Sequence, residues 1–129
     1  MNLNNINLNN VKKIVIFSLI MIVIDYFWIN NVMKKLYKPF LQAMNIKINM
    51  RLAFAVIAYL LMVCGYVFFI NNSKDEYKNS ILLGGIIFGV YGFTLGALFN
   101  GYSLQLALTE TLWGALLYSM TTFLTNILN

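Results

Sequence analysis

The apolar residues of this chain follow neither the two-residue alternation of strands nor the single stripe of a surface helix. They form four long runs that are apolar at most positions, roughly Lys13–Val32, Arg51–Ile70, Asn79–Asn100 and Ser103–Leu128. A helix rises about 1.5 Å per residue and needs ~20 residues to cross ~30 Å of hydrocarbon, a length each run reaches. Continuous runs favour helices, and a closed barrel needs more strands than the chain can hold. The pattern predicts an all-α fold, a bundle of four transmembrane helices forming one membrane domain over residues 13–129.

The segments around these runs are polar and of unequal length. Residues 1–12, opening with MNLNNINLNN, read as a disordered Asn-rich tail. The first run follows Lys12 and Lys13 as a signal peptide would, but it continues past Asp25 and lacks an A-x-A cleavage pattern, so it reads as a retained helix. In the first connection, KKLYKPFLQAMNIKIN, the residues Leu36, Phe40, Ala43 and Met44 share a helical face among lysines. Either a short interfacial helix interrupted near Pro39 or an irregular basic loop fits that stretch. The second connection, NNSKDEYKN, is short, and the third is little more than Gly101-Tyr102, which forces the last two helices together.

Composition removes the soluble alternatives. Of the 129 residues, 60% are hydrophobic and 10% charged, whereas soluble domains carry about 25% charged residues. A small soluble domain hides only about two-thirds of its chain's surface, so the excess here faces lipid. The expected partner is the lipid bilayer and the expected location a membrane, as a multi-pass integral protein. The net charge of +5 does not point to nucleic acid, because the bases flank the apolar runs, where basic heads reach phospholipid headgroups. Lys12, Lys13, Lys74 and Lys78 fall on one side and Lys34, Lys35, Lys38, Lys47 and Arg51 on the other. That near balance gives only a slight lean towards a cytoplasmic first connection.

Candidate chemistry is sparse. The chain has no histidine, and its one cysteine, Cys64, lies in an apolar run and reads as a buried inert thiol. No disulfide, metal centre or cofactor motif is expected. Two acids fall within the runs, Asp25 and Glu110. A carboxylate in hydrocarbon is costly and normally faces the bundle interior. Counting from the ends of their helices puts both ~10 Å below the same face. Tyr59, Tyr91 and Thr94 fall at ~9–13 Å by the same count, which predicts a polar layer. With no base inside the bundle, desolvation and like charge are expected to keep at least one acid protonated.

Trp28 and Trp113 each stand three residues after an acid, on its helix face. Trp28 fits an interfacial belt, and Trp113 reads as a core or pocket residue. Gly85, Gly89, Gly92 and Gly96 share one face of the third helix, and Gly114 belongs to a small and polar stripe on the fourth, so close helix packing is expected there.

Together, D-Y-F-W at Asp25–Trp28, the basic segment with Tyr37, Y-G-F-T at Tyr91–Thr94 and E-T-L-W-G at Glu110–Gly114 resemble the domain-of-unknown-function 2177 family. These are small four-helix membrane proteins, mainly bacterial, and the likeness runs from about Lys13 to the C-terminus. It implies a fold and no reaction. The family's acids in helices one and four are matched by Asp25 and Glu110. Its usual Y-D-x-T-N in helix three is altered, with Gly92 in place of the acid and Leu95 in place of the Asn.

Two functional classes follow. The first is a structural or interaction bundle with a polar carboxylate layer, associating with itself or with another membrane protein. The alternative is a small proton- or cation-coupled transporter working as a homodimer, with Asp25 and Glu110 as its sites. An enzyme is not expected, since no nucleophile–base pair, phosphate loop or metal-ligand spacing is present.

Overall fold

A computed structural model gives the arrangement of residues 8–47 and 51–129, which are the residues the structure describes. Helix α1 spans Leu8–Trp28, passes through a π-helical turn at Ile29–Met33, and continues into α2, Lys34–Met44. Helices α3, Leu52–Phe69, α4, Glu76–Leu98, and α5, Leu104–Leu128, complete the bundle. There is no strand among the described residues, and the fold is all-α. Helix α1 begins at Leu8, inside the stretch expected as a polar tail; the remainder of that tail, residues 1–7, lies outside the described residues.

Among the described residues, three helical stretches are long and apolar enough to cross a membrane: the continuous run Leu8–Met44, α3 and α4. Their outward faces carry large exposed apolar side chains, such as Leu19 and Phe27 on α1, Leu60 and Phe68 on α3, and Ile86 and Val90 on α4. Helices apolar on every side belong in lipid or in a large core. Helix α5 is as long as the others, at 25 residues, but its sequence is interrupted by threonines, a serine, a glutamate and a tyrosine. Its inner side is the reason: Glu110, Thr121, Thr122, Thr125 and Tyr118 are all buried, and α5 supplies the largest share of the buried residues. Thr109, Thr111, Ser119, Thr121 and Thr125 each donate to the carbonyl four residues back, so their hydroxyls need no water.

Helices α4 and α5 are the closest pair, and the short turn between them is sealed where the Ser103 hydroxyl accepts from the Leu106 N–H at 3.1 Å. Their backbones meet at Gly84 and Gly114, where a Cβ added to either glycine would collide with the carbonyl oxygen of the other. Gly89 and Gly92 sit tightly against Thr111 and Ala107, whereas Gly85 and Gly96 have ordinary room. Helix α3 is the loosest element. It is tethered through Tyr59 to Asp25 of α1, and by the Tyr118 hydroxyl of α5 donating to the Met62 carbonyl at 2.7 Å. Cys64 lies on its outer face and is exposed, contrary to the expectation of a buried thiol. With so few neighbours, most of the α3 surface has only lipid to face.

The first connection is helical as far as Met44. In α2, Tyr37 and Phe40 are buried while Lys34, Lys35 and Lys38 are exposed, which is the one strongly two-sided helix of the bundle. Pro39 lies within α2 and does not interrupt it, since a single missing donor leaves the flanking turns intact. Asn45, at φ 53°, ends α2 in the left-handed conformation. On the opposite side of the bundle, Lys13 pairs with Glu76 at 3.5 Å, and Asn126 donates to the same carboxylate at 2.9 Å.

Candidate functional site

Two apolar clusters fill the bundle. One is built on Phe17, Met21, Tyr66, Ile70, Trp113, Leu117 and Tyr118, and the other, under α2, on Tyr37, Phe40, Tyr102, Leu106 and Ala107. Along α5, Glu110 falls between Ala107 of the second cluster and Trp113 of the first. It is 4% exposed, and Asp25 is 8% exposed.

Each acid is held by aromatic donors from other helices. Asp25 accepts the Tyr59 hydroxyl on Oδ2 at 2.5 Å and the Trp113 indole N–H on Oδ1 at 3.1 Å. One carboxylate thereby ties α1 to both α3 and α5. Glu110 accepts the Tyr37 hydroxyl on Oε1 at 3.0 Å. Because that uses the only proton of Tyr37, the 2.7 Å bond between Tyr37 and Tyr102 must be donated by Tyr102. A chain of hydroxyls therefore runs from Tyr102, in the α4–α5 turn, through Tyr37 to Glu110. Burial raises the Tyr102 phenol above its ordinary range and the Glu110 charge adds to it, so Tyr102 stays neutral at physiological pH.

The two tryptophans face each other, with ring centroids 4.1 Å apart and planes within 6°. Trp28 is half-buried and packs against the first cluster: its indole stacks on Trp113, which is itself fixed by Asp25.

Beside these groups lies a cavity of 420 Å³. All four long helices line it, with Asp25 and Trp28 from α1, Ala58, Leu61 and Met62 from α3, Ile87, Phe88 and Tyr91 from α4, and Glu110 and Trp113 from α5. Asp25, Glu110 and Trp113 are buried, whereas Ala58, Leu61 and Tyr91 are exposed. The floor is thus on α1 and α5, and the mouth is lateral, between α3 and α4. A second cavity of 290 Å³, under α2, shares Ile29, Met33 and Tyr91 with the first. No Lys or Arg lines the first cavity, and Lys34 lines the second.

Of the residues expected in the polar layer, the structure brings together Asp25, Tyr59, Glu110 and Trp113, with Tyr91 at the cavity mouth. Thr94 is exposed and lies outside this group. Tyr37 and Tyr102 belong to it and were not singled out for it from the sequence. The signal for Tyr37 was its place three residues before Phe40, on the face of α2 that turns away from the lysines. Among the described residues, no group of acids, cysteines or histidines is arranged to hold a metal ion.

A family model described as "Predicted membrane protein (DUF2177)" matches residues 10–127. The chain belongs to this family. No curated protein and no solved structure matches it. In this DUF2177 protein Gly92 lies close against α5. A Cβ at Gly92 would lie 3.2 Å from the Ala107 backbone and 3.4 Å from the Glu110 side chain. A side chain at this position would need its neighbours on α5 to give by a few tenths of an ångström.

Proposed function

We propose that this DUF2177 protein is an interaction bundle of the bilayer, in which α5 makes a fourth pass and the buried acids fasten the helices around a cavity that receives a molecule from the lipid phase. Its role is binding, without catalysis. The observation that carries this reading is the double position of Asp25 and Glu110, each bonded to an aromatic side chain of another helix and each also lining the cavity. Helix interiors are close-packed, so 420 Å³ left open beside the most polar groups is a feature to be occupied. The volume is within the roughly 300–1,000 Å³ of small-molecule sites. The lateral mouth makes hydrocarbon, not water, the phase from which an occupant enters.

The chain's two tryptophans, Trp28 and Trp113, both line the cavity and report on it directly. In nanodiscs with brominated acyl chains their fluorescence is expected to be quenched, and Ala58→Phe, which puts a ring in the mouth, is expected to relieve that quenching. Equal quenching with and without the ring would overturn the reading. Cysteine labels at the α4–α5 turn and at the C-terminus, in a Cys64→Ser background, should react from opposite faces of the bilayer if α5 crosses it.

A further inference from the structure

We infer that the cavity binds a lipophilic ammonium, its chain against Leu61, Met62, Ile87 and Phe88 and its N–H head on the free oxygen of Glu110. This inference rests on the reading of the cavity as a site filled from the bilayer. The decisive atom is Glu110 Oε2. Oε1 takes the Tyr37 hydroxyl, but Oε2 has no donor among the described residues. It is also not among the unpartnered polar atoms that are fully enclosed, so this otherwise buried side chain keeps surface, and the cavity it lines is where that surface lies.

Charge selects the head group. Two carboxyl groups line the cavity and no Lys or Arg does, so nothing there neutralises an anion. A cation supplies the opposite charge that the acids lack and restores the favourable charged form. The aromatic lining agrees, because Trp28, Trp113 and Tyr91 present ring faces that attract a cation stripped of water. An N–H donor also completes the hydrogen bonding of Oε2, which a quaternary nitrogen cannot do. The remaining walls are aliphatic or aromatic and suit an alkyl or ring body of the same molecule.

The test titrates dodecylammonium and dodecanol into the protein in phosphatidylcholine nanodiscs, with tryptophan emission as the signal and empty discs as the partition control. Dodecylammonium is expected to bind saturably and on the order of tenfold or more tighter than the alcohol, the worth of one charge-assisted hydrogen bond. Glu110→Gln should remove that preference. Ser80→Ala, which loses a bond to Thr122 in a different part of the bundle, should keep it. Ala58→Phe should weaken both probes alike, a result that does not depend on how well the Glu110 variant folds. Equal affinity for the two probes, or a preference that survives in folded Glu110→Gln, overturns the ammonium inference and leaves the cavity reading standing. No saturable binding of either probe overturns both. In phosphatidylethanolamine discs, weaker dodecylammonium binding assigns the ammonium to the lipid headgroup, and unchanged binding assigns it to a free amine.

Discussion

Removing the Tyr37 hydroxyl is the most informative single perturbation of the polar layer. Tyr37→Phe keeps the ring, which is 5% exposed and packs edge-on against Phe40 and Tyr102. What it deletes is the link between Tyr102 and Glu110, two hydrogen bonds of 2.7 and 3.0 Å. Side-chain hydrogen bonds inside membranes average about 0.6 kcal/mol and reach about 1.7 kcal/mol, so the pair is worth roughly 1–3 kcal/mol. The upper end applies here, because the change leaves Glu110 with no donor at all, and an orphaned buried polar group costs about 1–3 kcal/mol by itself. Tyr59→Phe is the internal reference. It removes one bond, and Asp25 keeps the Trp113 N–H, so about 1 kcal/mol is expected. Unfolding by dodecyl sulfate in mixed micelles, followed by helical circular dichroism, should therefore rank Tyr37→Phe about 1–2 kcal/mol below Tyr59→Phe. A double-mutant cycle of Tyr37→Phe with Glu110→Leu should give a coupling near 1 kcal/mol. A coupling under about 0.3 kcal/mol, or Tyr59→Phe as the more damaging change, would refute the assignment of Glu110 to the Tyr37–Tyr102 chain.

Gly84→Ala should destabilise the same unfolding transition by about 1–3 kcal/mol or more, because the new methyl group meets the Gly114 carbonyl and helices α4 and α5 must part. Gly85→Ala should be neutral or gain up to about 1 kcal/mol, since its Cβ would sit 4.0 Å from Ala115 and alanine is the better helix former; loss of stability there would contradict the packing face. A nitroxide on Cys64, exposed on the outer side of α3, should be relaxed by oxygen and not by a water-soluble nickel complex if that face meets lipid. The Tyr102 phenol is raised above its ordinary value of 10.0, so its contribution is complete below that pH and is lost as pH rises through the folded value. Stability should fall at strongly alkaline pH, and less so in Tyr102→Phe; an identical alkaline loss in that variant would exclude Tyr102 as its source.

How far the sequence carried the fold depended on the element. The long apolar runs marked α1, α3 and α4, because a side chain that must meet lipid has to be apolar wherever it points. Depth counting placed Asp25 and Tyr59 at one level, and they are hydrogen-bonded. The same count placed Thr94 there too, yet it is exposed, since depth along a helix says nothing about which way a residue faces. The glycine series gave the right pair of helices and a slightly displaced contact: Gly84, one position before the series, meets Gly114. Neighbours one residue apart differ by about 100° around a helix, and the side of α4 that packs on α5 holds Gly84 together with Gly89 and Gly92. Tyr102 was hidden for a different reason. It sits in the short connection between α4 and α5, and the return of α2 over that connection buries it against Tyr37.

Helix α5 joins these observations. Its sequence is the least apolar of the long helices because its polar groups are spent inward, on Glu110 to Tyr37, on Tyr118 to the Met62 carbonyl and on Thr122 to Ser80. In water such a helix would be bound chiefly by its apolar face. In lipid the surrounding chains are as apolar as leucine, and close approach and hydrogen bonds have to do that work. The Gly84–Gly114 contact provides the close approach at one level of α5, and Glu110 and Trp113 lie a turn or less towards its N-terminus. At that level Gly89 and Gly92 still hold α4 against α5, while the Trp28–Trp113 stack joins α1 to α5. With α1 and α4 both packed on α5 there, the bundle opens on the side of α3, which packs more loosely. The opening is the cavity, and the two acids stand on its floor because α1 and α5 are the helices whose inward faces remain in contact there.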